Sequence, residues 1–496
     1  MISLDFEKII DVIKYNANDP LLFNSSVFLI FFFFFLLAFT LFHNNDKIKI
    51  YFLTFFSLYF FYKTCGWYVI YILIAAIVDY NISTKIYKSR IKWNRLCLLY
   101  CSIFLNLGLL FYFKYTNFFI GIINDFTSNN ISLIKLILPV GISFYTFENL
   151  SYTIDIYDRK FKPVKKFIDY LFFLSFFPKL MMGPIVRAAD FVPQIYKKIN
   201  INDEKIGIGL YLITSGIIKK IVISDYINEN FVKYIFSNPS SYTGIECLFA
   251  VYGYALVIYC DFSGYSDMAI GIAKWIGFDI NINFLSPYQS TTITEFWRRW
   301  HISLSSWLKD YLYIRWLGGN KKGNFKTNIN LLATMLLGGF WHGASWNFIF
   351  WGGLHGIGLI IDKIRIKLFN KLNITNSLIL IVLRFWGLLI TFNFVCFCWI
   401  FFRCETFQNS WVMINKIFTQ FHFEKFILLF NNYTNVFIIV FLGLALHSIP
   451  LNVENNFKQK IIKMPILLKI IYLFICIFIA IQFKQAQTIK PIYLQF

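Results

Sequence analysis

The stretch LLFNSSVFLIFFFFFLLAFTLF, residues 21–42, holds five consecutive phenylalanines, Phe31–Phe35, and no charged side chain. A helix crosses a bilayer with about 20 mostly apolar residues, so this run is long enough to span. A signal peptide is a poor reading of it. The run is long, it starts late, and many similar runs follow. Across all 496 residues, 58% are hydrophobic, 21% aromatic and 15% charged, and the mean hydropathy is +0.59. Soluble domains carry about a quarter charged residues. The expected fold class is an all-α polytopic membrane protein, with residues 1–496 forming a single integral-membrane domain.

The charge balance is strongly basic, with 47 Lys and Arg against 26 Asp and Glu, formally +21. In a soluble chain this excess would suggest nucleic acid. In a polytopic one, Lys and Arg collect in cytoplasmic loops and set orientation, so no nucleic-acid partner is expected. Part of the excess is available to an anionic cofactor or to lipid headgroups. The nine cysteines lie mostly in apolar runs and form no CxxC pair. They read as polarizable packing residues rather than as a metal or disulfide framework.

Loop charge gives an orientation. Residues 46–49 and 85–92 are basic, residues 124–130 carry no Lys or Arg, and residues 158–166 are basic again. One alternation fits all four loops if the basic ones are cytoplasmic, which puts the N-terminus outside. The basic stretch 455–463, followed by one more apolar run, puts the C-terminus outside as well. About eleven spans are expected in all. The segment Asp169–Gln194 is apolar yet carries Pro178, Pro184 and Pro193, so a re-entrant or interfacial segment is expected there. Gly264–Tyr288 is similarly mixed. Two short apolar stretches, Ile329–Phe340 and Trp346–Ile361, are flanked by Lys321, Lys322 and Lys326 on one side and by Lys363, Arg365 and Lys367 on the other. Cytoplasmic flanks on both sides make a hairpin whose tip is Trp341-His342-Gly343, buried among helices.

Of the six histidines, His43 and His422 read as solvated or interfacial, His447 as helix-end packing, and His355 as a hydrogen-bonded bundle residue. His342 differs. An ionisable group inside a membrane marks a functional site by default, and imidazole accepts a proton near neutral pH, as a base activating a hydroxyl must. Gly338, Gly339 and Gly343 leave room for close approach, and Trp341 and Trp346 would wall a narrow passage. On residues alone, catalysis and a structural histidine stand level. His301 lies in Phe296-Trp297-Arg298-Arg299-Trp300-His301. With Lys309 and Arg315, Arg298 and Arg299 form a cationic, tryptophan-rich segment. The interfacial reading of that segment stands slightly ahead of an entrance for an anionic donor bound by arginine. Asp261 and Asp267 are not a recognisable metal site, and they read as helix-start or pore-lining structure. No metal is expected.

These residues resemble the membrane-bound O-acyltransferase family, in particular its bacterial polysaccharide acetyltransferases. The resemblance rests on Leu138–Phe147, Phe177-Pro178 through Ile185, Phe296–His301 with Ser303-Leu304-Ser305, Phe340–Ala344 with Trp346, Phe401-Phe402-Arg403, and Ile492–Phe496. It implies helices and re-entrant segments around a central tunnel in the bacterial inner membrane. His342 then stands at the family's essential histidine, His301 at its second. The donor would be cytoplasmic acetyl-CoA, entering past Arg298, Arg299, Lys309 and Arg315. Tyr493 resembles a C-terminal tyrosine proposed to carry the acyl group outward, although Pro491 stands where the related motif usually has an aromatic residue. The implied partners are a periplasmic SGNH-type esterase/transferase, a cell-envelope polysaccharide acceptor and membrane lipids. Peptidoglycan is expected narrowly ahead of alginate or another exopolysaccharide. A flippase for a lipid-linked sugar is the rival from another class. It would need charges spread through several spans and often internal repeats, and neither is seen.

Overall fold

The computed structural model describes residues 12–17, 20–43, 45–127, 130–321, 323–371, 376–484, 489 and 491–492. These residues are all helix, turn and irregular backbone, with no strand among them. By length and composition, six helices can cross a membrane: Ile48–Lys88, Lys92–Thr127, Asp203–Ser237, Gly244–Trp275, Ser377–Arg403 and Ile466–Phe483. A seventh is added if the bent pair Phe423–Asn432 and Thr434–His447 counts as one span. The chain is therefore a multi-pass membrane protein, and two of its apolar runs differ from long straight helices.

The differences have local causes. The opening run, residues 21–42, becomes a helix of only 17 residues, Ser26–Phe42, because Ser25 stops it: the Ser25 Oγ accepts from the Phe28 N–H at 3.1 Å. Seventeen residues is about the lower limit for a span. Phe426–Leu446 is also not one straight helix. Tyr433 leaves helical geometry at φ −123° and ψ 28°, and the two pieces meet at 93°. Tyr433 packs instead on Phe231, ring centroids 4.8 Å apart.

The chain divides into two compact units, Met1–Ile213 with Met268–Asn281, and Thr214–Asp267 with Ile282–Phe496. In the first, phenylalanines packed largely edge-on around Phe177 form part of the core. The Phe177 ring lies 5.0 Å from Phe56, 5.5 Å from Phe60 and 5.7 Å from Phe35. The proline-rich segment around it is broken, as its sequence suggests, into Phe167–Ser175, Phe177–Leu180 and Ala188–Ile195. Its buried irregular backbone is served by the Glu148 carboxylate, which accepts from the Val186 N–H at 3.1 Å and pairs with Lys179. The same unit holds a buried polar chain. Asp79 accepts from Ser102 and Asn106, Asn106 accepts from Asn149, and Asn149 accepts from Tyr170.

The second unit carries the candidate chemistry. Its principal helices are α1 (Gly244–Trp275, whose last turns belong to the first unit), α2 (Ile293–Arg299), α3 (Ile302–Trp307), α4 (Gly323–His342), α5 (Trp346–Lys371) and α6 (Ser377–Arg403). Helices α4 and α5 form the expected hairpin, with His342 as the last residue of α4. Their close packing depends on Gly339. A Cβ there would lie 2.2 Å from the Phe348 carbonyl oxygen and 3.0 Å from the Gly352 Cα, so any side chain would force the pair apart. Gly343 makes room for the Phe348 ring. These glycines admit neighbouring protein. Trp346 does not wall a passage as expected, because it is 61% exposed, whereas Trp341 is buried.

Candidate active site

His342 ends α4, and its ring is enclosed by aromatic ones. Centroids lie 4.9 Å away at Trp341, 5.1 Å at Trp351 of α5, and 5.3 Å at Phe402 of α6. The Asn347 amide fixes the start of α5 against the end of α6 by donating to the Cys404 carbonyl at 2.8 Å. Phe402 of α6 is thus held against the tip of the α4–α5 hairpin, which lies more than fifty residues earlier in sequence.

His301 also packs near Trp341, with centroids 6.3 Å apart. Trp341 therefore neighbours both buried histidines. His301 has φ 42° and ψ 56°, a left-handed conformation that costs a non-glycine residue energy and that a surrounding structure must impose. Asn283 imposes it. Its backbone carbonyl accepts from the Ile302 N–H at 2.9 Å, and its Oδ1 accepts from the Ser303 N–H at 3.1 Å and the Ser303 hydroxyl at 2.9 Å. The same Oδ1 lies 3.1 Å from His301 Nδ1. An oxygen already accepting from two donors requires Nδ1 to donate too. The neutral ring therefore carries its lone pair on Nε2. Phe262 and Phe284 pack on this imidazole, at 4.6 and 6.4 Å.

Asn283 had no signal in sequence, and its role is testable. Asn283→Ala should lower acyl transfer about 100-fold, because the imidazole loses both its tautomer and its turn. It should also distort the dependence of initial rate on pH. Asn283→Asp, which keeps an acceptor for Nδ1–H, should recover part of the rate. An unchanged pH profile in the alanine variant would remove Asn283 from the site.

His355 behaves as its sequence reading expects, hydrogen-bonded within the bundle. Its Nδ1 accepts from the Trp297 indole N–H at 3.3 Å, so its proton sits on Nε2. That Nε2–H and the Trp351 indole N–H are buried without an acceptor among the described residues. The Trp351 and His355 rings are 4.9 Å apart. The wall beside His342 thus offers two donors suited to a polar group such as a carbonyl oxygen.

The cationic residues differ in exposure. Arg298 and Lys309 are exposed, while Arg299 and Arg315 are half-buried. Arg299 is engaged by Glu295 Oε1 at 2.7 Å. Tyr493 lies outside the described residues. No group of three or more His, Cys, Asp or Glu side chains suited to a metal occurs among the described residues.

Asp261 and Asp267 are not at a helix start. Both lie in the interior of α1 and pair with lysines of a π-helical stretch, Ile218–Asp225. Lys219 meets Asp267 at 2.7 Å, and Lys220 meets both Asp261 and Asp225 at 2.6 Å. Gly264 permits this approach, since a Cβ there would lie 2.8 Å from the Gly216 carbonyl oxygen.

A multi-pass helical protein with two buried histidines near one tryptophan suits acid–base chemistry at buried residues. Comparison with known proteins identifies the class. Residues 164–407 match the model of the membrane-bound O-acyltransferase family. The chain is 36% identical over 366 residues to the peptidoglycan O-acetyltransferase of Helicobacter pylori, covering 68% of each chain. It is 40% identical over 322 residues to a probable alginate O-acetylase, AlgI, of Pseudomonas aeruginosa, covering 64% of this chain and 59% of that one. It is 30% identical over 291 residues to a teichoic acid D-alanyltransferase of Bacillus subtilis, covering 55% of this chain and 71% of that one. The chain belongs to the membrane-bound O-acyltransferase family and is an acyltransferase.

Proposed function

We propose that this enzyme moves acetyl from cytoplasmic acetyl-CoA across the bacterial inner membrane for O-acetylation of a cell-envelope polysaccharide, most directly peptidoglycan. The observation that carries the chemistry is the pair of buried histidines that both pack near Trp341. Acetyl-CoA docks through its phosphates near Arg298, Arg299, Lys309 and Arg315. His342 takes the proton of an attacking hydroxyl, assisted by His301. The oxygen adds to the thioester carbonyl, the C–S bond breaks, and the ring returns the proton to the departing CoA sulfur. The orphan donors of Trp351 and His355 suit the carbonyl oxygen as its charge develops.

The attacking hydroxyl in this reading is that of Tyr493, with both chain termini outside. An SGNH-type partner then transfers the acetyl to the glycan. The relative acting on peptidoglycan is matched over more of this chain than the alginate acetylases are, which favours peptidoglycan. The alginate acetylases are the more identical over their matched stretch, which keeps an exopolysaccharide acceptor as the second reading.

The test is mass spectrometry of cell-wall glycan and of the C-terminal peptide from cells with and without the gene, and from cells carrying Tyr493→Phe. O-acetylated muramic acid and acetylated Tyr493 should both disappear without the gene, and the glycan ester should disappear in Tyr493→Phe. Muramic acid acetylation that persists without the gene overturns the peptidoglycan reading.

A further inference from the structure

The buried ion cluster at Lys220 is not used by the chemistry above, and it holds more than side chains. Lys220 is bonded to Asp225 Oδ1 and Asp261 Oδ1, each at 2.6 Å. All three side chains are buried. Two carboxylates about one ammonium leave an excess of acceptors. The second oxygen of Asp261, Oδ2, accepts the backbone N–H of Ile492 at 2.9 Å. That donor lies 231 residues away, in the chain's last few residues.

We infer that the Lys220–Asp225–Asp261 cluster is a docking site for the chain's own C-terminal segment. It holds the chain at Ile492, the residue before Tyr493. The inference rests on the proposed role of Tyr493 for its purpose, though not for its geometry. Three features support it. The hydrogen bond is charge-assisted, with an ionised acceptor oriented by its own pair to Lys220, and so is stronger than a neutral one. Ile492 packs on the hydrophobic core of this unit, as does Phe483 at the end of the last helix. Pro491 is buried and has no N–H, so the buried end of the segment brings in one donor fewer. The first donor after it is that of Ile492, and Asp261 takes it. The proline's fixed φ also narrows the approach of the chain, which lowers the entropy lost on docking. Pro491 departs from the related motif, and here it suits a segment held by its backbone rather than by an aromatic side chain.

The docking contact is made by a main-chain N–H, so one substitution removes it without touching the cluster. Ile492→Pro deletes the donor, and Ile492→Ala keeps the donor while shortening the side chain. Full-length proteins in lipid nanodiscs would be compared by hydrogen–deuterium exchange of the peptide 484–496. Exchange in Ile492→Pro should be about tenfold faster than in the unsubstituted protein, and in Ile492→Ala within about threefold of it. Acetylation of Tyr493 should fall with the first variant and largely persist in the second. Equal exchange in Ile492→Pro and the unsubstituted protein overturns the docking site. Rapid exchange in Ile492→Pro, with no acetyl on Tyr493 in any sample, leaves the docking site standing and removes the carrier role. Tyr493→Phe should keep slow exchange, because the dock acts on the backbone of the preceding residue.

Discussion

His342→Ala should abolish acetyl transfer, lowering the rate by about three orders of magnitude while leaving the protein inserted and folded. A positioned general base contributes about 10²–10⁴-fold. A loss no smaller than the middle of that range is expected here, because the ring is buried among Trp341, Trp351 and Phe402, where bulk water is a poor substitute. Removing an imidazole from this wall also leaves a cavity, so loss of activity through loosened packing must be separated from loss of the base. His342→Gln keeps most of the bulk and a polar end but accepts no proton near neutral pH. It should be as inactive as the alanine variant and closer to the unsubstituted protein in thermal midpoint. The rate is read as CoA released from acetyl-CoA by purified protein in nanodiscs. Retained turnover in either variant would remove His342 as the base. His301→Ala should cost less, since His301 assists in the proposed mechanism.

The hairpin that carries His342 was legible in sequence because its signals are local. Basic residues flank both arms, and glycines stand at the contact. The rest of the site was not, because each decisive contact joins residues with no sequence relation. His301 is visible as a residue, but its left-handed backbone and tautomer are set by Asn283, 18 residues earlier. Phe402 was visible only as part of a resemblance, and its contact with His342 depends on Asn347 holding α5 to α6. Asp261 and Asp267 were read as helix-start or pore-lining residues, since their lysines lie 41 and 48 residues upstream across a helix contact that Gly264 permits. The bounds of two apolar runs were not legible for a related reason. Hydropathy registers apolar length but not the Ser25 cap or the Tyr433 break, and each of these shortens a helix without making it polar.

Lys220→Leu is expected to be the most destabilising single change at the ion cluster. It leaves Asp225 and Asp261 buried and facing one another without their cation. Breaking a buried pair by removing one partner costs roughly 3–5 kcal/mol, because the remaining charge is uncompensated. Two carboxylates make the case worse than one, and at least one must take up a proton. The thermal midpoint in detergent should therefore fall by several degrees. Replacing all three members together, Lys220→Leu with Asp225→Leu and Asp261→Leu, should recover much of that loss, since a well-packed apolar substitute for a buried ion group is often neutral or stabilising. The comparison also separates stability from docking. In Lys220→Leu, Asp261 keeps an oxygen for the Ile492 N–H, so the C-terminal peptide should remain slow to exchange below the lowered midpoint. In the triple variant that acceptor is gone, and the tail should exchange rapidly although the fold is restored. A triple variant that is stable and still protects its tail would show that Asp261 is an ion-pair partner only, with the packing of Pro491 and Ile492 sufficient to hold the segment.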